Sequence, residues 1–336
     1  MIAPPRVVVA DRSQAVRSVL SRLVQNDGRI EVIGEAADGL ELVNLVRRIM
    51  PDALILDLDL PTLAGRALAA ALWEEAQLPI FAVAPRQHNA PTRAAFGSHN
   101  LGVIAVFPKP DVPREWENLG ETLATAVLQV ATDRIQAGEM TAEPDDTPVV
   151  GPGLRYIAVG ASTGGPGAIF ELLQAIGRDS NLGVAIVQHI SNGFEDALVD
   201  WLSVELDLDV ALAEDGSQLK PGSVRLAPAG GHLVLRRDGV LGVDRLRDPI
   251  EGHCPAVDVL FHSLLEHSPG EAAAVLLSGM GKDGASGMEA LHRANFLTIA
   301  QDMASSAVFG MPRAAIQRNA VAFALPPAQI GRLLSR

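Results

Sequence analysis

The sequence predicts an α/β protein made of two doubly wound parallel-sheet domains. In both halves of the chain, short apolar runs alternate with segments whose apolar residues recur at helical spacing. The 336 residues, 48% of them hydrophobic, suffice for about two domains with separate cores. Residues 136–150 break the alternation because they are polar, acidic and contain proline. We therefore predict domains at 1–133 and 151–336, joined by a linker at 134–150.

The first domain is predicted to contain about five strands, each followed by a helix. A β-branched run opens the chain, and Ser13 stands where it can cap the first helix. The last helix is amphipathic. Strands are predicted at 6–10, 31–36, 53–61, 79–85 and 103–110, and helices at 13–25, 40–49 and 114–135.

The second domain repeats this alternation, with Gly- and Pro-rich turns after several strands. Its helix over 167–176 follows the first of these turns. Strands are predicted at 155–162, 183–190, 223–229, 272–279, 296–302 and 321–325.

Charge and composition exclude several classes of function. The net charge is −13 and both halves are acidic, which disfavours binding to nucleic acid or to an anionic membrane surface. Cys254 is the single cysteine, so neither an intramolecular disulfide nor a cysteine metal cage can form. No apolar stretch reaches the roughly 18 residues of a membrane span, and the N-terminus lacks the apolar region of a signal peptide. We expect a cytoplasmic protein without membrane insertion.

Three charged residues follow strands of the first domain. Asp11 follows the first strand, Asp57 lies at the end of the third, and Lys109 comes at the end of the fifth. The carboxyl ends of parallel strands meet at one edge of the sheet, where ligands bind. Convergence of carboxylates and an ammonium group is typical of a phosphoryl-accepting aspartate, and the alternative is that each residue is an ordinary loop charge.

The turn after the first strand of the second domain reads Gly-Ala-Ser-Thr-Gly over 160–164, which satisfies G-x-S-x-G. A serine on such a turn is lifted out of the sheet, and the following helix offers positive potential to an oxyanion. An esterase nucleophile, an anion-binding loop and a structural turn all remain open. A dinucleotide loop is weaker, because G-x-G-x-x-G needs glycine where Ser162 stands.

A serine nucleophile needs a base and an orienting acid. His189 follows an apolar strand, and Asp283 lies in a Gly-rich turn after another. The order Ser, His, Asp differs from that of the best-known hydrolases, but geometry alone defines a triad. The backbone around Met280 and Gly281 is a second candidate oxyanion donor, and no H-E-x-x-H spacing suggests a hydrolytic metal.

On these motifs, residues 155–330 resemble the catalytic domain of the chemotaxis-type protein-glutamate methylesterases, the CheB family. The matching stretches include IAVGASTGGPGA and LLSGMGKDGASGM. The resemblance implies that Ser162 is the nucleophile, His189 the general base and Asp283 its orienting acid. Further oxyanion or pocket candidates are Thr163, Gly164, Met280, Gly281, Gln188 and His232.

Residues 1–130 resemble the receiver domain of two-component response regulators, which implies a flavodoxin-like fold. Asp57 then matches the phosphoacceptor, Lys109 the lysine that contacts the phosphoryl group, and Asp11 with Asp57 the ligands of Mg²⁺. Two departures weaken that site. Arg12 replaces the second of two adjacent acids, and Ala84 replaces a hydroxyl residue after the fourth strand. We expect Arg12 to take the metal's place beside Asp57, and phosphorylation to be poor.

The combined resemblance implies hydrolysis of glutamate γ-methyl esters on methyl-accepting chemoreceptors, with release of methanol and with glutamine deamidation as a related reaction. The ester chemistry needs no cofactor. The receiver implies regulation of the esterase through a two-component phosphorelay and a chemosensory histidine kinase as partner. A catalytically silent signalling module is the alternative. A DNA-binding regulator is disfavoured by the acidic C-terminal half.

Overall fold

The computed structural model describes residues 3–85, 95–137, 153–268 and 270–335. The chain divides into two compact units, Met1–Gln136 and Ala137–Arg336, which are described separately. Helix α4 (Pro113–Ala137) extends into the predicted linker, so the first four residues of that linker are helical. The rest of that linker lies outside the described residues, and the domain boundaries stay a prediction.

The first unit is a five-stranded parallel sheet in the order β2-β1-β3-β4-β5, with helices between the first four strands of the chain and after the last. The central strands are buried along their length because helices cover both faces of the sheet. The strands are β1 (Arg6–Ala10), β2 (Glu31–Ala36), β3 (Ala53–Leu56), β4 (Ile80–Ala84) and β5 (Val103–Pro108). The helices are α1 (Gln14–Val24), α2 (Gly39–Ile49), α3 (Gly65–Ala76) and α4 (Pro113–Ala137).

Two local expectations for this unit were wrong. Strand β3 ends at Leu56, well before the predicted end at residue 61. The Asp57 carboxylate accepts a hydrogen bond from the Asp59 N–H (2.9 Å), which turns the chain away from the sheet. Ser13 stands at the N-cap of α1, but its side chain makes no capping bond. Its N–H instead donates to Asp11 Oδ1 (2.8 Å).

The second unit contains a seven-stranded parallel sheet in the order β14-β13-β12-β6-β7-β9-β8. Its central strand β6 lies between β7 and β12, so the residues that follow these three strands meet at one edge. The strands of this sheet are β6 (Tyr156–Ala161), β7 (Gly183–Gln188), β8 (Asp209–Leu212), β9 (Ser223–Leu226), β12 (Ala272–Leu276), β13 (Leu297–Gln301) and β14 (Phe323–Leu325). The helices are α5 (Gly165–Ile176), α6 (Glu195–Leu206), α7 (Val257–His267), α8 (Ala285–Arg293), α9 (Gly310–Gln317) and α10 (Pro327–Leu334).

A separate antiparallel hairpin, which the alternation of strands and helices did not predict, consists of β10 (His232–Leu235) and β11 (Leu241–Asp244). After β11 the chain runs through residues 245–256 before α7 begins. This connection brings polar side chains towards the carboxyl edge of the seven-stranded sheet.

No helix among the described residues is long and apolar enough to cross a membrane.

Candidate active site

Ser162 directly follows β6 and lies in the turn that leads into α5. Gly164 adopts a left-handed φ of 80°, which a residue with a Cβ would reach only at a cost. A Cβ there would also lie 2.5 Å from Ser278 Oγ. The turn is therefore tight by necessity, and it places Ser162 ahead of the N-terminus of α5, as a nucleophile elbow requires.

The loop after β12 packs directly against this turn. The Ser162 N–H donates to Ser278 O (3.0 Å), and Ser278 Oγ donates to Thr163 O (2.8 Å). A Cβ on Gly279 would lie 2.9 Å from Ser162 Cβ, so glycine is required for this approach. Buried Ser278 thus fixes the two loops to each other on both sides of the serine.

Gln188, the last residue of β7, joins the backbone of the serine to that of the histidine. Its buried amide Nε2 donates to Ser162 O and to His189 O, both at 2.8 Å. The His189 N–H in turn donates to Ala161 O (2.9 Å), continuing the β6–β7 pairing by one residue. Gln188, an oxyanion or pocket candidate from the sequence, thus holds the backbones of the serine and the histidine together.

His189 and Asp283 form a hydrogen-bonded pair at the same edge. His189 Nε2 lies 2.9 Å from Asp283 Oδ2, and both side chains are largely buried. The buried Nδ1 atom of His189 has no hydrogen-bond partner among the described residues. Because Nε2 is held by the carboxylate, Nδ1 is the nitrogen left to accept a proton.

Asp283 is held ionised by the start of helix α7. Its two carboxylate oxygens accept the N–H groups of Val257 (2.7 Å) and Asp258 (2.9 Å), in addition to His189. Burial by itself raises the pKa of Asp283, but these three hydrogen bonds outweigh burial and lower it. A carboxylate that stays negative can stabilise an imidazolium on His189.

Backbone donors for an oxyanion stand on both loops beside Ser162. The backbone N–H groups of four residues donate no hydrogen bond to another described residue: Thr163, Gly164, Met280 and Gly281. Thr163 and Gly164 precede α5, whose N-terminus carries positive potential. These four candidates therefore remain as predicted, with free N–H groups that could bind a developing negative charge.

His232 does not line a pocket, contrary to expectation. It is fully buried, and both nitrogens of its ring contact the backbone of the connection between β11 and α7. Its Nδ1 accepts the Ala256 N–H (3.1 Å), and its Nε2 lies 3.2 Å from Asp248 O. A half-buried residue of that connection, His253, instead reaches the site and stacks on His189. Nothing in the periodicity of the sequence singles out His253.

In the first unit, Asp11 and Asp57 converge on Lys109 as the sequence predicted. Lys109 Nζ lies 2.6 Å from Asp11 Oδ2 and 2.5 Å from Asp57 Oδ2. Burial lowers the pKa of Lys109, but its bonds to the two carboxylates outweigh burial, so the pKa is raised and the ammonium stays charged.

The expectation that Arg12 pairs with Asp57 was wrong. Arg12 is exposed and forms no ion pair within the described part of the chain, because Lys109 occupies that place. Ala84 ends β4 beside Lys109, whose N–H donates to Ala84 O (2.7 Å), so no hydroxyl stands at this position.

The donor set does not fit Mg²⁺. Three of the four oxygens of Asp11 and Asp57 accept hydrogen bonds from the chain, and Asp11 Oδ2 lies 2.6 Å from the Lys109 ammonium without forming one. Mg²⁺ binds several oxygen ligands in an octahedron with water, whereas here the Lys109 ammonium already lies between the two carboxylates and Arg12 supplies no oxygen ligand. Within the described ranges no cluster of three or more His, Cys, Asp or Glu side chains could hold a metal ion.

Comparison with known proteins follows the same two-part division. The family model of the CheB methylesterase matches residues 157–334, and that of the response regulator receiver domain matches residues 7–115. A protein-glutamate methylesterase/protein-glutamine glutaminase of Myxococcus xanthus is 35% identical, over 98% of this chain and 93% of its own. The protein of the same description from Salmonella typhimurium is 34% identical, over 97% and 95%.

The chain belongs to the CheB methylesterase family. The crystal structure of the Thermotoga maritima CheB methylesterase catalytic domain is 33% identical and superposes with a TM-score of 0.52. The superposition covers 54% of this chain and 97% of that domain. This CheB-type chain therefore combines two α/β units, a receiver and a methylesterase domain, as the sequence predicted.

Proposed function

We propose that this chain is a protein-glutamate methylesterase that hydrolyses γ-methyl esters of glutamate on methyl-accepting chemoreceptors and releases methanol. The observation that carries the proposal is the His189–Asp283 pair, in which the buried Nδ1 of His189 has no hydrogen-bond partner among the described residues. Gln188 joins the backbone of this histidine to that of Ser162. The relatives' names and the family match support the same reaction.

The proposed reaction begins when His189 Nδ1 takes the proton of Ser162 Oγ, which attacks the ester carbonyl. The imidazolium is stabilised by Asp283, which the N–H groups of α7 keep ionised. The oxyanion is bound by the free N–H groups of the two loops, and methanol leaves with the proton from His189. Water then attacks the acyl-enzyme by the same proton transfers and regenerates Ser162.

The same site would deamidate glutamine, because an acyl-enzyme forms from an amide as from an ester once the leaving group is protonated. Ammonia then takes the place of methanol. Apart from the water that attacks the acyl-enzyme, each proposed step uses only side chains and backbone groups of this chain.

For the receiver unit we propose a regulatory role in which Asp57 is the acceptor site and phosphorylation through a histidine kinase is weak. The Lys109 ammonium already pairs with both carboxylates, and position 84 offers no hydroxyl to a phosphoryl oxygen. We derive no step through Mg²⁺ because the donor set does not fit it.

Methanol release from a methylated chemoreceptor, by the wild-type chain and by Ser162→Ala, tests the proposal. We expect release that depends on Ser162. Absence of release, from a receptor that another methylesterase demethylates, would contradict the enzymatic function and favour a silent signalling module.

A further inference from the structure

His253 stands at the end of a tight turn in the connection between β11 and α7. Its N–H donates to Ile250 O (2.9 Å) and its carbonyl accepts the Ile250 N–H (3.0 Å). The two residues between them, Glu251 and Gly252, have left-handed φ values of 50° and 87°. The turn therefore presents His253 in a defined orientation.

This turn is anchored on two sides. Buried His232 holds the connection at Asp248 and at Ala256, before and after the turn. At the rim, Glu251 pairs with Lys282 (3.0 Å), which directly precedes Asp283. The turn and the loop that carries the orienting acid are thus fixed to each other.

The imidazole of His253 lies flat on the imidazole of His189. The ring centroids are 4.0 Å apart and the planes differ by 4°. The His189 side chain is consequently only 11% exposed, although it lies at the carboxyl edge of the seven-stranded sheet. One face of the proposed base is covered by a second aromatic ring, which hinders rotation of His189 away from Asp283.

We infer that His253 is a positioning residue of the esterase reaction, whose neutral ring holds His189 on Asp283 and covers the imidazolium that forms during proton transfer. This inference rests on the proposed function. An aromatic face attracts a cation placed over it, whereas a second cation would repel it. The role therefore requires that His253 remain neutral while His189 carries the proton.

The surroundings of His253 favour its neutral form. Burial lowers the pKa of His253, and the positive charge of His189 lowers it further. Asp283 on the β12–α8 loop and Glu251 on the same turn act in the opposite direction, and Lys282 offsets Glu251. The net direction is a lowered pKa, which favours a neutral His253.

The test uses the full-length chain and a fluorophosphonate, a small probe that phosphonylates an activated serine without a receptor. The second-order rate of modification at Ser162 is followed by intact mass for wild type, His253→Ala and His253→Phe. Ser162→Ala confirms the site of labelling. Phe170→Ala is the matched control, because it removes a ring from another stacked pair, Phe170 and Trp201, with centroids 5.2 Å apart.

We expect His253→Ala to slow modification about 10- to 100-fold, the range in which small misplacements of a catalytic group fall. His253→Phe restores a flat ring and should recover the rate to within about threefold of wild type. A fold defect is recognised by thermal melting, and Phe170→Ala reports the effect of lost stacking as such.

Two outcomes would overturn the inference alone: His253→Ala reacting as fast as wild type, or Phe failing to rescue a variant that melts normally. A third concerns charge. In a plot of the logarithm of the modification rate against pH, the acidic limb should have a slope of one for wild type and for His253→Phe. A steeper limb for wild type would mean that His253 titrates together with His189. A wild-type chain that leaves Ser162 unmodified would overturn the proposed function and this inference with it.

Discussion

Asp258 and Asp283 each accept hydrogen bonds from the N-terminus of a neighbouring helix: Asp283 from α7, and Asp258 from α8. Asp283, which precedes α8, accepts the first two N–H groups of α7, whereas Asp258, in the first turn of α7, accepts the Gly287 N–H of α8 at 2.7 Å. Helix N-termini have unpaired donors and positive potential, so each carboxylate stabilises the partner helix. The orienting acid is thereby fixed by two helices as well as by His189.

Asp283→Asn should reduce kcat for methanol release about 10³- to 10⁴-fold. The neutral amide cannot stabilise an imidazolium on His189, and its NH₂ group would face donors at His189, Val257 or Asp258. Leaving a buried donor unpaired should also cost about 1–3 kcal/mol of unfolding free energy. Ser162→Ala is the comparison, since it should lose activity but melt as wild type does. A kcat within tenfold of wild type would contradict the role of Asp283.

Asp258→Asn should change the dependence of stability on pH. Burial raises the pKa of Asp258, with the Asp283 charge acting in the same direction. Such a carboxyl contributes stability below its unfolded pKa, near 3.9, that is lost as pH rises through its folded value. Asparagine imitates the neutral form and keeps an acceptor for the Gly287 N–H.

The unfolding free energies of Asp258→Asn and wild type should therefore coincide near pH 3, and the variant should become the more stable one towards pH 7. Urea unfolding across this pH range measures the difference in unfolding free energy between the two proteins. Asp283 is present in both, so its opposite contribution to the pH dependence cancels in that difference. A variant that is less stable at pH 7 than wild type would mean that ionised Asp258 contributes more through α8 than it costs by burial.

Gln188→Met should lower kcat about tenfold and leave KM almost unchanged. Methionine fills a similar volume but cannot donate to Ser162 O and His189 O, so the backbones of nucleophile and base lose their shared bond. The free energy of unfolding should fall by about 1–3 kcal/mol because the partly buried His189 carbonyl is left without its donor. Gln329→Met, at an exposed position of α10, controls for the same exchange elsewhere.

The placement of Ser162, His189 and Asp283 could be predicted because each directly follows a strand or its turn, and parallel strands bring their carboxyl ends to one edge. The roles of His253 and Asp258 could not be predicted. They depend on a four-residue turn and on the packing of α7 against α8, neither of which leaves a periodic signal. Contacts of side chains also explain two of the wrong predictions. His232 is buried and bonded to the connection between β11 and α7, and Lys109 pairs with Asp57 in place of Arg12.

Asp57 of the receiver unit should be a poor phosphoryl acceptor. With acetyl phosphate and Mg²⁺, the wild-type chain should form an aspartyl phosphate at far less than one group per chain. The combined change Arg12→Asp and Ala84→Thr should increase it about tenfold or more, because it restores a metal-binding carboxylate and a hydroxyl beside Lys109. Adding Asp57→Asn to these two substitutions should abolish the signal in a mass measurement. Stoichiometric phosphorylation of the wild-type chain would show that the carboxylates release Lys109 readily, and that the receiver still responds to a phosphodonor as it stands.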